Sequence, residues 1–187
     1  MINVIKNLIS QKSNPVIAID GYCASGKTTL AQKLAEKIGA QVIHTDDFFL
    51  PFELRTNERL NTAGGNIHYE RCAAEVIDGI KSGKPFEHRI FNCKAGGYDG
   101  FKSIDPSKPI IIEGAYSMRP EFIGIYDYKI FMAVDEDIQL DRILERNGKE
   151  ALEIFKSKWI PLENRYFEYF NVEEQCDTVI KNNEVNL

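Results

Sequence analysis

The sequence predicts an α/β fold, a mainly parallel sheet with helices on both faces, and three observations carry that reading. Short, almost wholly apolar runs recur at 15–20, 109–114 and 128–134, as expected of strands buried on both sides. Segments of helical period separate them, so strand and helix alternate along the chain. A glycine-bearing loop, Gly21-Tyr22-Cys23-Ala24-Ser25-Gly26-Lys27-Thr28, joins the first of these strands to the first long helix.

The elements follow in order. Ile2, Ile5, Leu8 and Ile9 fall on one face of a short leading helix that stops near Pro15. Beyond the loop, Leu30, Leu34 and Ile38 stand four apart before Gly39, which predicts a helix and its end. A second strand over 41–45 delivers Asp46, Asp47, Phe48 and Phe49 at its carboxyl end. Pro51, Asn57, Asn61, Gly64 and Gly65 predict mostly irregular structure over 50–66. Tyr69, Cys72, Ala73, Val76, Ile77 and Ile80 keep helical spacing until Ser82, Gly83 and Pro85 close it. Residues 86–103 read as extended pieces around Ala95-Gly96-Gly97, a small hairpin insertion. After the strands at 109–114 and 128–134 come a charged helix at 136–147 and another over 150–170 that carries Trp159 and Pro161. Thr178-Val179-Ile180 predicts a last short strand. The 187 residues suit one domain, with an insertion near 50–105 and a helical lid near 140–165.

Hydrophobic residues at 43% and charged residues at 27% are ordinary for a soluble globular protein. A formal charge of −5, from 23 basic and 28 acidic side chains, argues against an extended nucleic-acid surface. A neutral or small phosphorylated ligand is the easier partner. Cys23, Cys72, Cys93 and Cys176 form no C-x-x-C pair and do not cluster with His44, His68 or His88, as in a reduced cytoplasmic chain. The first residues lack the apolar run of a signal peptide, and no segment approaches the ~20 apolar residues that span a bilayer, so no membrane partner is expected. A homo-oligomer is left open.

The loop is a complete G-x-x-x-x-G-K-T motif in its required setting between strand and helix. Glycines let the backbone wrap a phosphate while N–H groups and the helix start point at the anion. Gly21, Cys23, Ala24, Ser25, Gly26, Lys27, Thr28 and Thr29 are therefore the expected nucleotide-binding residues, within a P-loop NTPase fold. Lys27 is expected on the β- and γ-phosphates and the Thr28 hydroxyl on Mg²⁺. Sheets of this kind bind ligands outside the carboxyl ends of the strands, where Asp20, Asp46, Asp47 and Glu113 fall. Phosphoryl transfer to a hydroxyl needs a carboxylate that takes or orients the acceptor proton, together with cations on the phosphates. Asp46 suits the first task and can share the metal; Glu113 suits the metal shell. Asp47 is a second acceptor-side candidate, and the plainer reading is that one of the two, Asp46 or Asp47, caps a helix beginning at Phe48.

Arg142 and Arg146 are four apart and share a helix face, from which they can close over phosphates or remain in solvated surface pairs. Arg55, Tyr69, His88 and Arg89 are acceptor-side candidates, with helix core (Tyr69) and a solvated strand (Arg89) as the plainer readings. Loop dipoles and Lys27 are expected to lower the pKa of Cys23, a small filler and not a nucleophile. The aromatic run from Trp159 through Tyr166, Phe167, Tyr169 and Phe170 reads as packing, not as a base-stacking platform.

With these residues in place, the chain resembles the uridine kinase-like P-loop kinases, a group related to pantothenate kinase and phosphoribulokinase, over about residues 15–180. The family's Asp-Ser-Phe-Tyr strand end looks like Asp46-Asp47-Phe48-Phe49, its Glu-Gly like Glu113-Gly114, and its arginine lid like 140–146. The resemblance implies ATP and Mg²⁺ as cofactors, Asp46 as acceptor-side base, and Arg142 and Arg146 as lid cations. The implied activity is transfer of the γ-phosphate to a hydroxyl of a small metabolite, with a nucleoside such as uridine first. Two departures bear on the acceptor: Arg146 is followed by Asn147-Gly148-Lys149, and the hairpin reads Phe86-Glu87-His88-Arg89 where the family carries Tyr-Asp. A sugar, vitamin precursor or sugar phosphate is the alternative acceptor, and Arg55, Arg59 and Arg89 suit an anionic one. A nucleotide-sensing module without an acceptor is the alternative of another class, although the Asn-Lys-x-Asp motif of guanine-reading switches is absent.

Overall fold

In the computed structural model, residues 2–93 and 95–183 are described. Among these residues, seven strands occur in chain order: β1 (Val16–Gly21), β2 (Gln41–His44), β3 (Phe86–Asn92), β4 (Gly97–Ile104), β5 (Ile110–Glu113), β6 (Tyr128–Ala133) and β7 (Thr178–Lys181). Five of them form one sheet in the order β2-β5-β1-β6-β7, and every neighbouring pair is parallel. β3 and β4 form the separate antiparallel hairpin. The mainly parallel sheet with helices on both faces, predicted from the alternation of strands and helices, is the architecture observed.

Alternation along β1 explains the layers. Ile17 and Ile19 face the leading helix α1 (Ile2–Gln11) and the loop-borne helix α2 (Lys27–Ile38), joining Ile5, Leu30, Ala31, Leu34, Ile111 and Ile130 in one core. The Ile2 side chain lies outside the described set. Val16 and Ala18 face the other way, onto Phe48, Cys72, Val76, Phe122, Phe131, Tyr166 and Phe167. Successive strand residues point to opposite sides, so an all-apolar strand supplies both cores at once.

Glycine is required at two strand ends. At Gly21 φ is +135°, and a Cβ would stand 2.1 Å from the Met132 carbonyl oxygen on β6. At Gly114 φ is +127°, and a Cβ would meet Thr45 Oγ1 at 2.0 Å. Both let the chain turn sharply off the sheet where the cleft begins.

The expectation for 50–66 needs amending. That stretch holds a 3₁₀ turn at Phe52–Leu54 and a short helix at Asn57–Asn61, capped by the Thr56 hydroxyl, which accepts from the Arg59 N–H. Turn-type residues mask a helix this short, because one cap hydrogen bond and its tertiary setting hold it. The helices at 69–82 and 149–170 each contain a π-helical turn, Ala73–Ile77 and Phe155–Trp159, which hydrophobic spacing does not report. A short helix at Pro120–Ile123 was likewise not anticipated. Among the described residues, no helix is long and apolar enough to cross a membrane.

Phe131 is fully buried between Tyr22 and Phe167, at ring-centroid distances of 5.4 and 5.2 Å. Phe131→Ala is expected to cost about 3–5 kcal/mol of stability, read from urea denaturation, because the emptied space lies under the phosphate loop and cannot collapse.

Candidate active site

The loop between β1 and α2 takes its shape from its own residues. Ala24 and Gly26 have φ of +57° and +94°, turning successive peptide N–H groups toward one concavity. The first N–H groups of α2 have no partner within the helix and open on the same space. Lys27 Nζ donates to the carbonyls of Gly21 and Tyr22, both at 2.8 Å, so its charge is held within the loop.

Beneath the loop, Asp20 is fully buried. Its carboxylate accepts from the N–H of Gly21 (2.7 Å), the N–H of Met118 (2.9 Å) and the Tyr166 hydroxyl (2.8 Å). Burial raises its pKa against the opposing pull of those donors. Glu163, one helical turn before Tyr166, accepts from the Cys23 N–H at 2.8 Å, and burial raises its pKa as well. The helix Ile160–Phe170 is thus pinned to the loop at two points.

The strand ends bring the predicted acids together. Thr28 Oγ1 lies 3.2 and 3.3 Å from the two Glu113 carboxylate oxygens. His44, the last residue of β2, bonds Glu113 Oε1 through Nδ1 at 2.5 Å, and that bond raises the His44 pKa. Asp46 follows on the 3₁₀ turn Thr45–Phe48. It is exposed along the cleft, yet the surrounding protein draws water away from it, and this together with Glu113 raises its carboxyl pKa.

From the far side, the helix Glu136–Asn147 presents Gln139, Arg142 and Arg146. Gln139 Nε2 donates to the Cys23 carbonyl at 3.0 Å. Arg142 donates to the Ala24 carbonyl at 3.2 Å and the Asn182 carbonyl at 3.1 Å. Arg146 donates to the Asn147 side chain at 2.7 Å and also lines the cleft. These groups enclose a cleft of about 710 Å³. Phe155 and Trp159 reach it from the π-helical turn, a distortion frequent at functional sites. Trp159 faces Phe49 with ring centroids 6.2 Å apart.

Cys23, Ala24, Gly26, Lys27, Thr28, Thr29, Asp46, Glu113, Arg142, Arg146 and, on the acceptor side, Arg55 all line this cleft. Gly21 and the buried Ser25 shape the loop behind it. Asp47, Tyr69, His88 and Arg89 stand elsewhere. The Asp47 carboxylate bonds the fully buried His88 at 3.1 Å. Tyr69 lies under the guanidinium groups of Arg59 and Arg119, at 3.9 and 3.7 Å. Arg89 pairs with Glu75, Nε to carboxylate at 2.7 Å. The expected lowering of the Cys23 pKa is reversed: burial and the neighbouring Glu163 push the thiol up to about 12. The packing expectation for the aromatic run holds at Tyr166 and Phe167, which are buried, and fails at Tyr169, which is 72% exposed; Trp159 is half-buried and lines the cleft. Sequence reasoning did not single out Glu163, Gln139, Asn66 or Asn182, because uncharacteristic residues far along the chain become neighbours only through the fold.

A family model described as phosphoribulokinase / uridine kinase family matches residues 16–151. The chain is 23% identical over 140 residues to phosphoribulokinase of Synechocystis sp., covering 72% of this chain and 42% of that protein. It is 25% identical over 164 residues to cytidylate kinase of Thermotoga neapolitana, covering 76% and 74%. The chain spans less than half the length of the phosphoribulokinases it matches. Among solved structures, a possible uridine kinase from Bacillus stearothermophilus superposes with a TM-score of 0.68 at 21% identity, covering 95% of each chain, a likeness of fold.

The His44–Glu113 bond sets a pH dependence. The folded pKa of His44 is raised, so the pair's contribution is whole below the unfolded value of 6.5 and is lost as pH rises through the higher folded value. In metal-free buffer, His44→Gln is expected to flatten the fall of the urea midpoint as pH rises above the unfolded value of 6.5. An unchanged slope contradicts the pairing.

Proposed function

Since the chain belongs to the phosphoribulokinase / uridine kinase family, we propose that it transfers the γ-phosphate of ATP to a hydroxyl of a small metabolite. The observation that carries this reading is the meeting of Lys27, Thr28, Glu113 and Asp46 along one cleft at the carboxyl ends of the strands. In this reading the loop N–H groups and Lys27 hold the β- and γ-phosphates. Thr28 and Glu113, whose oxygens lie 3.2 and 3.3 Å apart, are hard donors that suit Mg²⁺, with Asp46 beside them. The bound cation supplies charge neutralisation on the phosphate oxygens.

The chain's own residues do the rest. Asp46, with its raised pKa, accepts the hydroxyl proton or orients the hydroxyl for in-line attack. Arg142, already bonded to the loop carbonyl of Ala24, and Arg146 add positive charge to the cleft that Lys27 lines. That placement favours the charge that develops on the transferred group. Trp159 and Phe49 shield the acceptor end from water. Two acceptor classes suit these roles. The Phe49 and Trp159 rings, tilted 56° to each other, give an apolar aromatic surface that favours a nucleoside such as uridine; Arg55 at the same end favours a sugar phosphate or a vitamin precursor.

Two variants test the reading by a coupled ADP-release assay. Lys27→Ala is expected to abolish turnover. Asp46→Asn is expected to lower kcat about 10²–10⁴-fold while ATP binding, followed by calorimetry, changes little. Near-normal turnover in a folded Asp46→Asn protein refutes its role.

A further inference from the structure

The carboxyl ends of the parallel strands form a line along the cleft, with the phosphate loop at its middle. The sheet order β2-β5-β1-β6-β7 places β1 and its loop between two pairs of strands. On one side stand Glu113, which ends β5, and Asp46, two residues past β2. On the other side stands Asn182, the residue after β7, and it too lines the cleft. A nucleotide with its phosphates on the loop and its last phosphate turned toward Asp46 therefore extends its ribose and base toward β7.

Asn182 is 7% exposed and bonded at every polar atom but one. Its N–H donates to the Ala133 carbonyl at 2.8 Å, carrying the β6–β7 pairing one residue past the strand. Its carbonyl accepts from Arg142 at 3.1 Å. Its side-chain Nδ2 donates to the Ser25 carbonyl, within the phosphate loop, at 2.7 Å. That last bond fixes the amide. A carbonyl oxygen only accepts, so the nitrogen faces Ser25 and Oδ1 is left as an acceptor. Oδ1 is buried and has no hydrogen-bond partner among the described residues. A buried acceptor left unmatched costs free energy, which a donor on a bound molecule recovers.

Neighbouring groups lack this combination. Arg142 is committed to the carbonyls of Ala24 and Asn182. Glu145 and Arg146 line the same cleft but are exposed, so water satisfies them with or without a ligand.

We propose that Asn182 selects the base of the phosphoryl donor, its Oδ1 accepting from the 6-amino group of adenine. Adenine presents that amino donor beside N7, whereas guanine carries an oxygen acceptor in the same place. Hypoxanthine carries the same oxygen. Either base would set one acceptor against another in a buried setting, and the Ser25 bond prevents the amide from turning to offer its nitrogen. The inference deepens the kinase reading and rests on it for the seat of the phosphates, while base selection is measured without any acceptor.

The test is calorimetry in Mg²⁺ with ADP, IDP and GDP, which are not consumed during the titration. ADP is expected to bind about tenfold more tightly than IDP or GDP, the net worth of one matched hydrogen bond. Asn182→Leu, close in size but without the amide, is expected to weaken ADP and bring the ADP-to-IDP ratio near one. A role confined to bracing Ser25 would weaken all three nucleotides alike and keep the ratio. Asn182→Ala puts the same question where the leucine variant does not fold. IDP bound by the unmodified protein as tightly as ADP overturns the assignment and leaves the kinase reading standing. So does a preference for ADP that the folded variants retain. Failure of the folded, unmodified protein to bind any of the three overturns the reading of the loop, and the assignment with it.

Discussion

The buried carboxylate of Asp20 is the constraint on which the cleft depends. It sits at the end of β1 with no solvent exposure, in surroundings that would reject an unpartnered charge. Three donors from three parts of the chain offset that cost: the Gly21 N–H at the start of the loop, the Met118 N–H after β5, and the Tyr166 hydroxyl. Each donor would lose its own partner if its segment drifted. Burying one acid therefore registers the phosphate loop against the strand that carries Glu113 and against the helix Ile160–Phe170. The Glu163 contact to the Cys23 N–H repeats the tie one helical turn earlier.

This registration gives the two ends of the cleft different electrostatics. At the nucleotide end, Asp46, Glu113 and Glu163 gather around Lys27, an arrangement that suits a triphosphate accompanied by a divalent cation. Low-dielectric walls and mutual proximity raise the pKa of Asp46, while the bond from His44 keeps Glu113 oriented beside Thr28. Beyond Trp159 the wall carries Arg55, Lys158 and Arg165 and, among the described residues, no carboxylate. Cys23 lies within the loop but is walled in by Glu163 and Gln139, so proximity to Lys27 does not make it a thiolate.

The insertion between β2 and β5 spends most of its charged residues on its own structure. Arg71 is buried against Glu75, the Arg89 carbonyl and the Asp47 carbonyl, with its guanidinium 4.3 Å from the Phe48 ring centroid. Arg119 packs on Tyr69 and donates to the Ala63 carbonyl at 2.6 Å. This network carries the turn that bears Asp46 without a large apolar core of its own, since planar guanidinium groups can bond in several directions and stack at once. It also explains why Asp47, His88 and Arg89 serve the insertion and do not enter the cleft.

Contiguous signals were legible in the chain alone. The loop motif, the all-apolar strands around it and the acids at their carboxyl ends are each confined to a few neighbouring residues, so local pattern specified the fold class and placed Lys27, Thr28, Asp46 and Glu113 at one edge of one sheet. Where a side chain stands a helical turn or a whole domain away from its partner, that information is absent. Tyr69, His88 and Arg89 had the same residue types and spacing whether they met a ligand or each other's neighbours. Only the packed structure turned them toward Arg119, Asp47 and Glu75. It likewise brought Glu163 to a loop 140 positions away. Partner choice among charged groups is decided by distance in three dimensions, because an ion pair or a charge-assisted hydrogen bond acts over a few ångströms whatever the separation along the chain.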